Sequence, residues 1–145
     1  MSTQIKTPPS AVAAPAAVSV RLKISALWTS MLFVFVYVDL FSLYRADVRA
    51  DIEAGRLSGF AINQPFLLAT TAYIVLPALM VYLSLALPAR ISRMTNLVLA
   101  VGYALTIVGS AVGEANHYYL LGSAVEVALL VGVAVHAWTW HVARS

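Results

Sequence analysis

Two acidic residues, Asp39 and Glu126, are the only charged residues inside the four long apolar segments that make up most of the sequence. A charge near the centre of a bilayer costs roughly 2.5–3.5 kcal/mol on insertion scales, so such side chains tend to face the interior of a helix bundle and to have a role there. Membrane carboxylates bind cations, relay protons or act as an acid and base pair. Asp39 and Glu126 are therefore the first candidates for a functional site.

The elements that must position these carboxylates are transmembrane helices. The chain has 145 residues, of which 61% are hydrophobic and 10% are charged, against about 25% charged in a typical soluble domain. A bilayer-spanning helix needs about 20 apolar residues, and segments 24–44, 65–87, 94–113 and 118–140 meet this requirement. We predict an all-α fold in which residues 21–145 form a transmembrane four-helix bundle. Residues 1–20, rich in Ala and Pro, are predicted to be a disordered tail.

The distribution of Lys and Arg predicts the orientation of the bundle, because cytoplasmic loops are enriched in these residues. Both termini and the 88–93 loop are basic and contain no acidic residue, whereas the other side mixes both charges. We therefore expect a multi-pass protein of the inner (cytoplasmic) membrane with both termini in the cytoplasm. Residues 47–54, in the first outer loop, are predicted to form a short interfacial helix. A lid over an outward pocket is the alternative for this segment.

Polar residues from all four spans converge in the predicted outer half. Glu126 shares a helix face with the small residues Gly122 and Ser123, and small residues let membrane helices pack closely. Gly102 and Gly109 mark a similar face on the third span. We expect spans one and four to be neighbours, with both carboxylates at similar depth in one outward cavity and at least one of them protonated near neutral pH. The candidate ligand-binding residues are Asp39, Glu126, Tyr73, Thr70, Glu114 and His117.

Metal, cofactor and nucleic-acid sites are not indicated. The absence of cysteine excludes disulfides and thiolate ligands. His117 and His136 would be roughly 28 Å apart on one helix and cannot share a metal or haem. A Glu126–Glu114–His117 metal site is a minor alternative. The sequence has no glycine-rich phosphate loop, and its basic residues are scattered. We predict no cofactor and no nucleic-acid partner.

Three functions are compatible with two carboxylates in an outward cavity. The first is a binding or accessory protein that takes a small apolar or cationic molecule, or a lipid, from the membrane, and it is the function we favour. The second is a small proton-coupled transporter, since membrane carboxylates mark proton relays. The third is an intramembrane isomerase, which needs an acid and a base of different pKa; an enzyme is the less favoured class. Membrane lipid is an expected partner, and a homo-oligomer or a role as accessory subunit of a membrane complex is left open.

Four short segments are similar to a known protein family: residues 23–28 (KISALW), Tyr37 with Asp39, residues 52–55 (IEAG) and residues 137–140 (AWTW). Together they resemble a family of small bacterial four-span membrane proteins of unknown function, over residues 22–141. The resemblance implies the four-span architecture and no particular activity. The plan of four helices with acidic residues around a cavity is also similar to that of the DoxX-like proteins and of the sterol-isomerase and sigma-2-receptor group.

Overall fold

The structure of residues 18–140, a computed structural model, contains four long helices, one short helix and one β-hairpin. The long helices are each long and apolar enough to cross a membrane. The prediction of an all-α four-helix membrane bundle is therefore confirmed. In chain order the elements are α1 (Val20–Ser42), α2 (Ala46–Glu53), β1 (Arg56–Leu57), β2 (Phe60–Ala61), α3 (Gln64–Ala86), α4 (Ala89–Ala111) and α5 (His117–Thr139).

Two helices begin earlier than the apolar segments predict. Helix α1 starts at Val20, where the Ser19 side chain accepts a hydrogen bond from the Leu22 amide at 3.3 Å and so caps the first turn. Residues 1–17 of the predicted tail lie outside the described residues. Helix α4 starts directly after Pro88 and includes Arg93. Hydropathy excluded this arginine from the span, but its long side chain reaches the Trp138 carbonyl and donates to it at 3.0 Å.

The four long helices alternate in direction, so that both ends of the described chain lie at one end of the bundle. We call this the closed end, and the opposite end, which carries α2, the hairpin and the α4–α5 loop, the open end. Helix α1 packs against α3 and α5, and α5 also packs against α4, whereas α3 and α4 have the smallest contact of these four pairs. The bundle is thus a ring with one weak seam between α3 and α4.

A buried hydrogen-bond network joins three helices at the closed end. The Asn96 side-chain oxygen accepts hydrogen bonds from Trp28 Nε1 at 2.7 Å and from Ser84 Oγ at 2.9 Å. Its amide nitrogen donates to the Ser92 carbonyl at 2.8 Å. All four side chains are fully buried. Because lipid offers no alternative partners, such a network holds α1, α3 and α4 in one register.

Close packing of α1 on α5 depends on one glycine. A Cβ at Gly122 would overlap the Val38 side chain, so only glycine allows this approach. The expectation that spans one and four are neighbours is confirmed. The predicted small face of α4 is different, because a Cβ at Gly102 or Gly109 would meet nothing within 4 Å. This face is therefore not used for packing within the bundle.

The connection between α1 and α3 contains the predicted short helix and an unpredicted hairpin. Helix α2 lies within one residue of the predicted 47–54; its position at a membrane interface stays a prediction. The strands pair Leu57 with Phe60 across a two-residue turn. Both turn residues, Ser58 (φ 51°) and Gly59 (φ 83°), have positive φ, which is the geometry of a type I′ hairpin.

A tyrosine from α4 compensates for the proline inside α3. Pro77 has no amide hydrogen, so the carbonyl four residues earlier, that of Tyr73, loses its helical hydrogen bond. The Tyr103 hydroxyl donates to this carbonyl. The Tyr103 ring also packs on the Tyr73 ring, with centroids 4.7 Å apart. The contact links the two least connected helices at the middle of the bundle.

This compensation predicts a coupling between Tyr103 and Pro77. Tyr103→Phe should lower the free energy of unfolding by about 0.6–1.7 kcal/mol, the range measured for hydrogen bonds between membrane helices. In a Pro77→Ala background the loss should be smaller, because the backbone amide restored at position 77 then bonds the Tyr73 carbonyl. Reversible unfolding in SDS-containing mixed micelles measures both. Tyr82→Phe, whose ring is exposed, is the control, and equal losses in the two backgrounds would contradict the assignment.

Candidate functional site

A cavity of about 880 Å³ lies at the open end of the bundle. Its volume is within the range of small-molecule sites, which is about 300–1,000 Å³. Every element of the open end contributes to its walls. The lining includes apolar side chains of α1, α2, the hairpin and α3 together with polar side chains near the helix ends: Val36, Asp39, Leu40, Arg45, Asp47, Val48, Asp51, Ile52, Phe60, Phe66, Thr70, Ser110, Glu114 and Tyr119.

Asp39 presents a carboxylate to this cavity from α1. The preceding residue, Val38, is buried against α5, and the rotation of about 100° per residue turns Asp39 out of that contact. Asp39 is exposed and lines the cavity. Within residues 18–140 no hydrogen bond or ion pair engages its carboxylate. It lies one turn inside the end of a transmembrane helix, where an uncompensated charge is costly.

Arg45, the one cation among the described residues that line the cavity, is already paired with two other carboxylates. Its guanidinium contacts Asp47 at 2.6 Å and Glu114 at 3.1 Å, which ties the end of α1 to the α4–α5 loop. Hydrogen bonding to Asp47 is the main cause that raises the pKa of Arg45, and the same bond lowers the pKa of Asp47. Arg45 is therefore a fixed part of the wall and is not a counter-ion for Asp39.

Glu114 is held by more hydrogen bonds than any other acid of the cavity wall. Its Oε1 accepts from the side-chain amide of Asn116 and from the backbone amides of Ala115 and Asn116, both at 2.9 Å. Its Oε2 accepts from Arg45. The bonds to Asn116 first, and then that to Arg45, lower the pKa of Glu114 to about 2. Glu114 stays charged and keeps the loop in place over a wide pH range.

Glu126 is buried in the bundle and is not among the residues that line the cavity. Its side chain is 3% exposed, and its Oε1 has no hydrogen-bond partner in the described part of the chain. Gly122 lies level with Val38, so the Cα of Glu126 is about five residues of helical rise, or roughly 7.5 Å, deeper than that of Asp39. This offset departs from the similar depth that we expected. Both residues lie on helices that pack against each other, α1 and α5.

The structure brings only some of the remaining candidate residues to the cavity. Thr70 and Glu114 line it. Tyr73 does not; its hydroxyl shares a 2.7 Å hydrogen bond with Thr106 of α4. His117 is exposed at the first position of α5 and lies outside the lining. No group of three His, Cys, Asp or Glu residues among those described forms a metal site, so the minor Glu126–Glu114–His117 alternative is not formed.

Several residues of the cavity wall were not singled out from the sequence, among them Arg45, Phe60 and Phe66. Arg45 was counted only as an outer-side charge, and its partner Glu114 is 69 residues away, which no local pattern reveals. Phe60 falls in the first outer loop, and Phe66 falls in the second apolar segment. The dipeptide Ser58-Gly59 was the available signal for Phe60, because Ser-Gly pairs mark turns. A hairpin at that point brings Phe60 back towards α3.

The fold and the site define a class: a multi-pass, four-helix membrane protein that is closed by buried hydrogen bonds at one end and has an acidic cavity at the other. A family model, described as a family of unknown function (DUF6326), matches residues 19–144. The chain therefore belongs to this family. Neither the curated proteins nor the solved structures contain a match to the chain.

The lowered pKa of Glu114 predicts a pH dependence of stability. A carboxylate with a depressed folded-state pKa stabilises the fold above its unfolded pKa and loses this contribution as the pH falls. The contribution of Glu114 should therefore be complete above pH 4.5, its ordinary value, and disappear towards pH 2. Glu114→Gln should lower the melting temperature at pH 7, and its difference from the wild type should vanish in this acid range.

Thermal unfolding in nanodiscs between pH 7 and pH 2 measures this difference. Glu53→Gln is the matched control, because Glu53 is an exposed glutamate of the same end, at the last position of α2. A difference between Glu114→Gln and the wild type that stays constant through the acid range would show that the ionised carboxylate does not hold the loop.

Proposed function

We propose that the protein binds a small organic cation in the open-end cavity and that Asp39 is the group that contacts it. The observation that carries the proposal is the state of Asp39: a carboxylate on the wall of a membrane-embedded cavity, with no partner among the described residues. The only guanidinium of the wall, Arg45, is bound by Asp47 and Glu114. A cationic ligand would supply the missing counter-charge.

Glu126 acts in this proposal as a second, deeper acidic group. It is buried behind the cavity and interacts electrostatically with Asp39. A ligand cation near Asp39 would reduce the repulsion between the two carboxylates. Glu126 also has an oxygen without a hydrogen-bond partner, a condition that is costly in a buried site unless it serves a role. The pair would then favour a cation over a neutral molecule.

Binding is favoured over proton-coupled transport because the closed end is packed. Transport requires access from both sides of the membrane, and Trp28, Ser84 and Asn96 fill the closed end with side chains that have no exposed surface. An acid and base pair for isomerase chemistry would have to face one ligand together. Asp39 lines the cavity and Glu126 does not, which supports binding over that alternative as well.

The cavity is proposed to face outward, because the basic residues Arg21, Lys23, Arg90 and Arg93 lie at the closed end. The chain has no cysteine, so single-cysteine variants report orientation directly. In right-side-out membrane vesicles, a membrane-impermeant maleimide should label Ser58→Cys at the hairpin turn. It should label Pro88→Cys, in the α3–α4 connection, only after the vesicles are opened. The reverse pattern would place the cavity on the cytoplasmic side.

The binding proposal predicts that Asp39→Asn weakens cation binding. The probe is tetraethylammonium, and the protein is the full chain in nanodiscs, with affinity measured by calorimetry. Loss of the charge should reduce the affinity at least tenfold, since each factor of ten corresponds to about 1.4 kcal/mol and a truncated buried charge pair costs more. Glu53→Gln is the matched control; it removes a negative charge from the same end of the bundle at an exposed position of α2 that does not line the cavity.

Three outcomes decide the proposal. A large loss in Asp39→Asn with little change in Glu53→Gln supports it. Equal affinities in all three proteins, or no saturable binding by the wild type, would refute it. If a pH gradient drives uptake of tetraethylammonium into proteoliposomes, the protein is a transporter and the proposal of simple binding is wrong. Melting temperatures without ligand establish that the variants are folded.

A further inference from the structure

A second hollow lies beside the acidic cavity, on the face of α3 that turns towards α4. It measures about 550 Å³ and is formed by the hairpin and by the first turns of α3. No charged side chain lines it among the residues described. Its main walls are Phe60, Phe66, Ala69 and Thr70, with Tyr73 at its inner limit. We call this hollow the apolar groove.

The apolar groove is continuous with the acidic cavity. Phe60, Phe66 and Thr70 line both spaces. The two phenyl rings stack at a centroid distance of 6.2 Å with an interplanar angle of 24°. The Thr70 hydroxyl donates to the Phe66 carbonyl of its own helix at 2.9 Å. Its hydrogen therefore needs no acceptor from a ligand. The shared boundary is therefore an aromatic edge without an unsatisfied polar group.

The groove ends where α3 and α4 come together. The hydrogen bond between Tyr73 and Thr106 joins the two helices at this point, and the Tyr103 hydroxyl reaches the Tyr73 carbonyl beside it. Nearer to the open end, the hydroxyl of Ser110 on α4 donates to a carbonyl of its own helix, as that of Thr70 does on α3. The groove is thus a blind hollow of limited length within the membrane-spanning part of α3.

We propose that the ligand is an amphiphile: a cationic head bound in the acidic cavity and an alkyl chain lying in the apolar groove. This inference rests on the proposed function, because it takes Asp39 as the site of the head. Charge complementarity places the head, since the cavity wall has four carboxylates and one guanidinium. Continuity places the chain, since Phe60, Phe66 and Thr70 line both spaces and none of them is charged.

The test compares two probes that share a quaternary ammonium head, tetraethylammonium and dodecyltrimethylammonium, the second below its micelle concentration. Binding to the full chain in nanodiscs is measured against the concentration in the bilayer, so that membrane partitioning cancels. Ala69→Trp fills the groove, because Ala69 is an exposed residue of its lining. Ala72→Trp is the matched control, an exposed alanine of the same helix that lines neither space.

We expect Ala69→Trp to weaken dodecyltrimethylammonium binding at least fivefold and to leave tetraethylammonium binding unchanged, and Ala72→Trp to change neither. If both tryptophan variants behave alike, or if Ala69→Trp weakens both probes equally, the chain site is overturned while the cation site stands. If neither probe binds in a manner that depends on Asp39, the proposed function itself fails.

A second measurement does not depend on whether the tryptophan variants fold. Dodecyltrimethylammonium with a diazirine at the end of its chain is bound to the wild-type protein and photolysed, and adducts are mapped by mass spectrometry. Adducts on Phe66, Ala69 or Tyr73, lost in Asp39→Asn, support the proposal. Adducts confined to Leu67 and Leu68, which are exposed and line neither space, would overturn it.

Discussion

The buried side chain of Asn96 is the constraint on which the rest of the bundle depends. In lipid the hydrophobic effect does not hold helices together, so packing and interhelical hydrogen bonds must do so. Asn96 bonds to Trp28 of α1, Ser84 of α3 and Ser92 of α4. A shift of one residue in any of these helices would leave a polar group unsatisfied in an apolar environment, at a cost of roughly 1–3 kcal/mol. The closed end is therefore fixed in register, and α3 and α4 diverge from it.

The cavity is a consequence of where the cross-links between α3 and α4 stop. The first is the Ser84–Asn96 bond, and the last is the pair of contacts that Tyr73 makes with Tyr103 and Thr106. Beyond that level the hydroxyls of α3 bond within their own helix. On the opposite side of the bundle, Gly122 packs against Val38, and Arg45 forms an ion pair with Glu114. These contacts close that side of the open end. The side of the bundle formed by α1 and α5 is therefore in contact along its whole length. Helices α3 and α4 are linked only from the closed end to the level of Tyr73.

The sequence predicts the helices well and their relative levels poorly, for physical reasons. Apolar length alone defines a membrane helix, so four spans and the short helix after α1 could be anticipated. The relative depth of Asp39 and Glu126 could not be anticipated, because it is set by the contact between Val38 and Gly122, which are 84 residues apart in the chain. Similar depth was inferred from distances to the predicted helix ends, and those distances do not show at which level two helices pack against each other. The same argument applies to the Tyr103 hydroxyl, which compensates for a proline 26 residues earlier.

In the proposed function, the electrostatics of the open end would favour a cationic ligand over a neutral one. Arg45 balances Asp47 and Glu114 within hydrogen bonds that leave it no freedom to approach Asp39. Apolar walls of low dielectric focus the remaining negative field into the cavity. A neutral molecule would displace water from Asp39 and leave the carboxylate with neither solvent nor counter-charge, which is unfavourable. A cation would replace the water with a direct charge interaction, strengthened by the same low dielectric. In the proposed function, the geometry that makes Asp39 costly without a ligand would therefore also make it selective for positive charge.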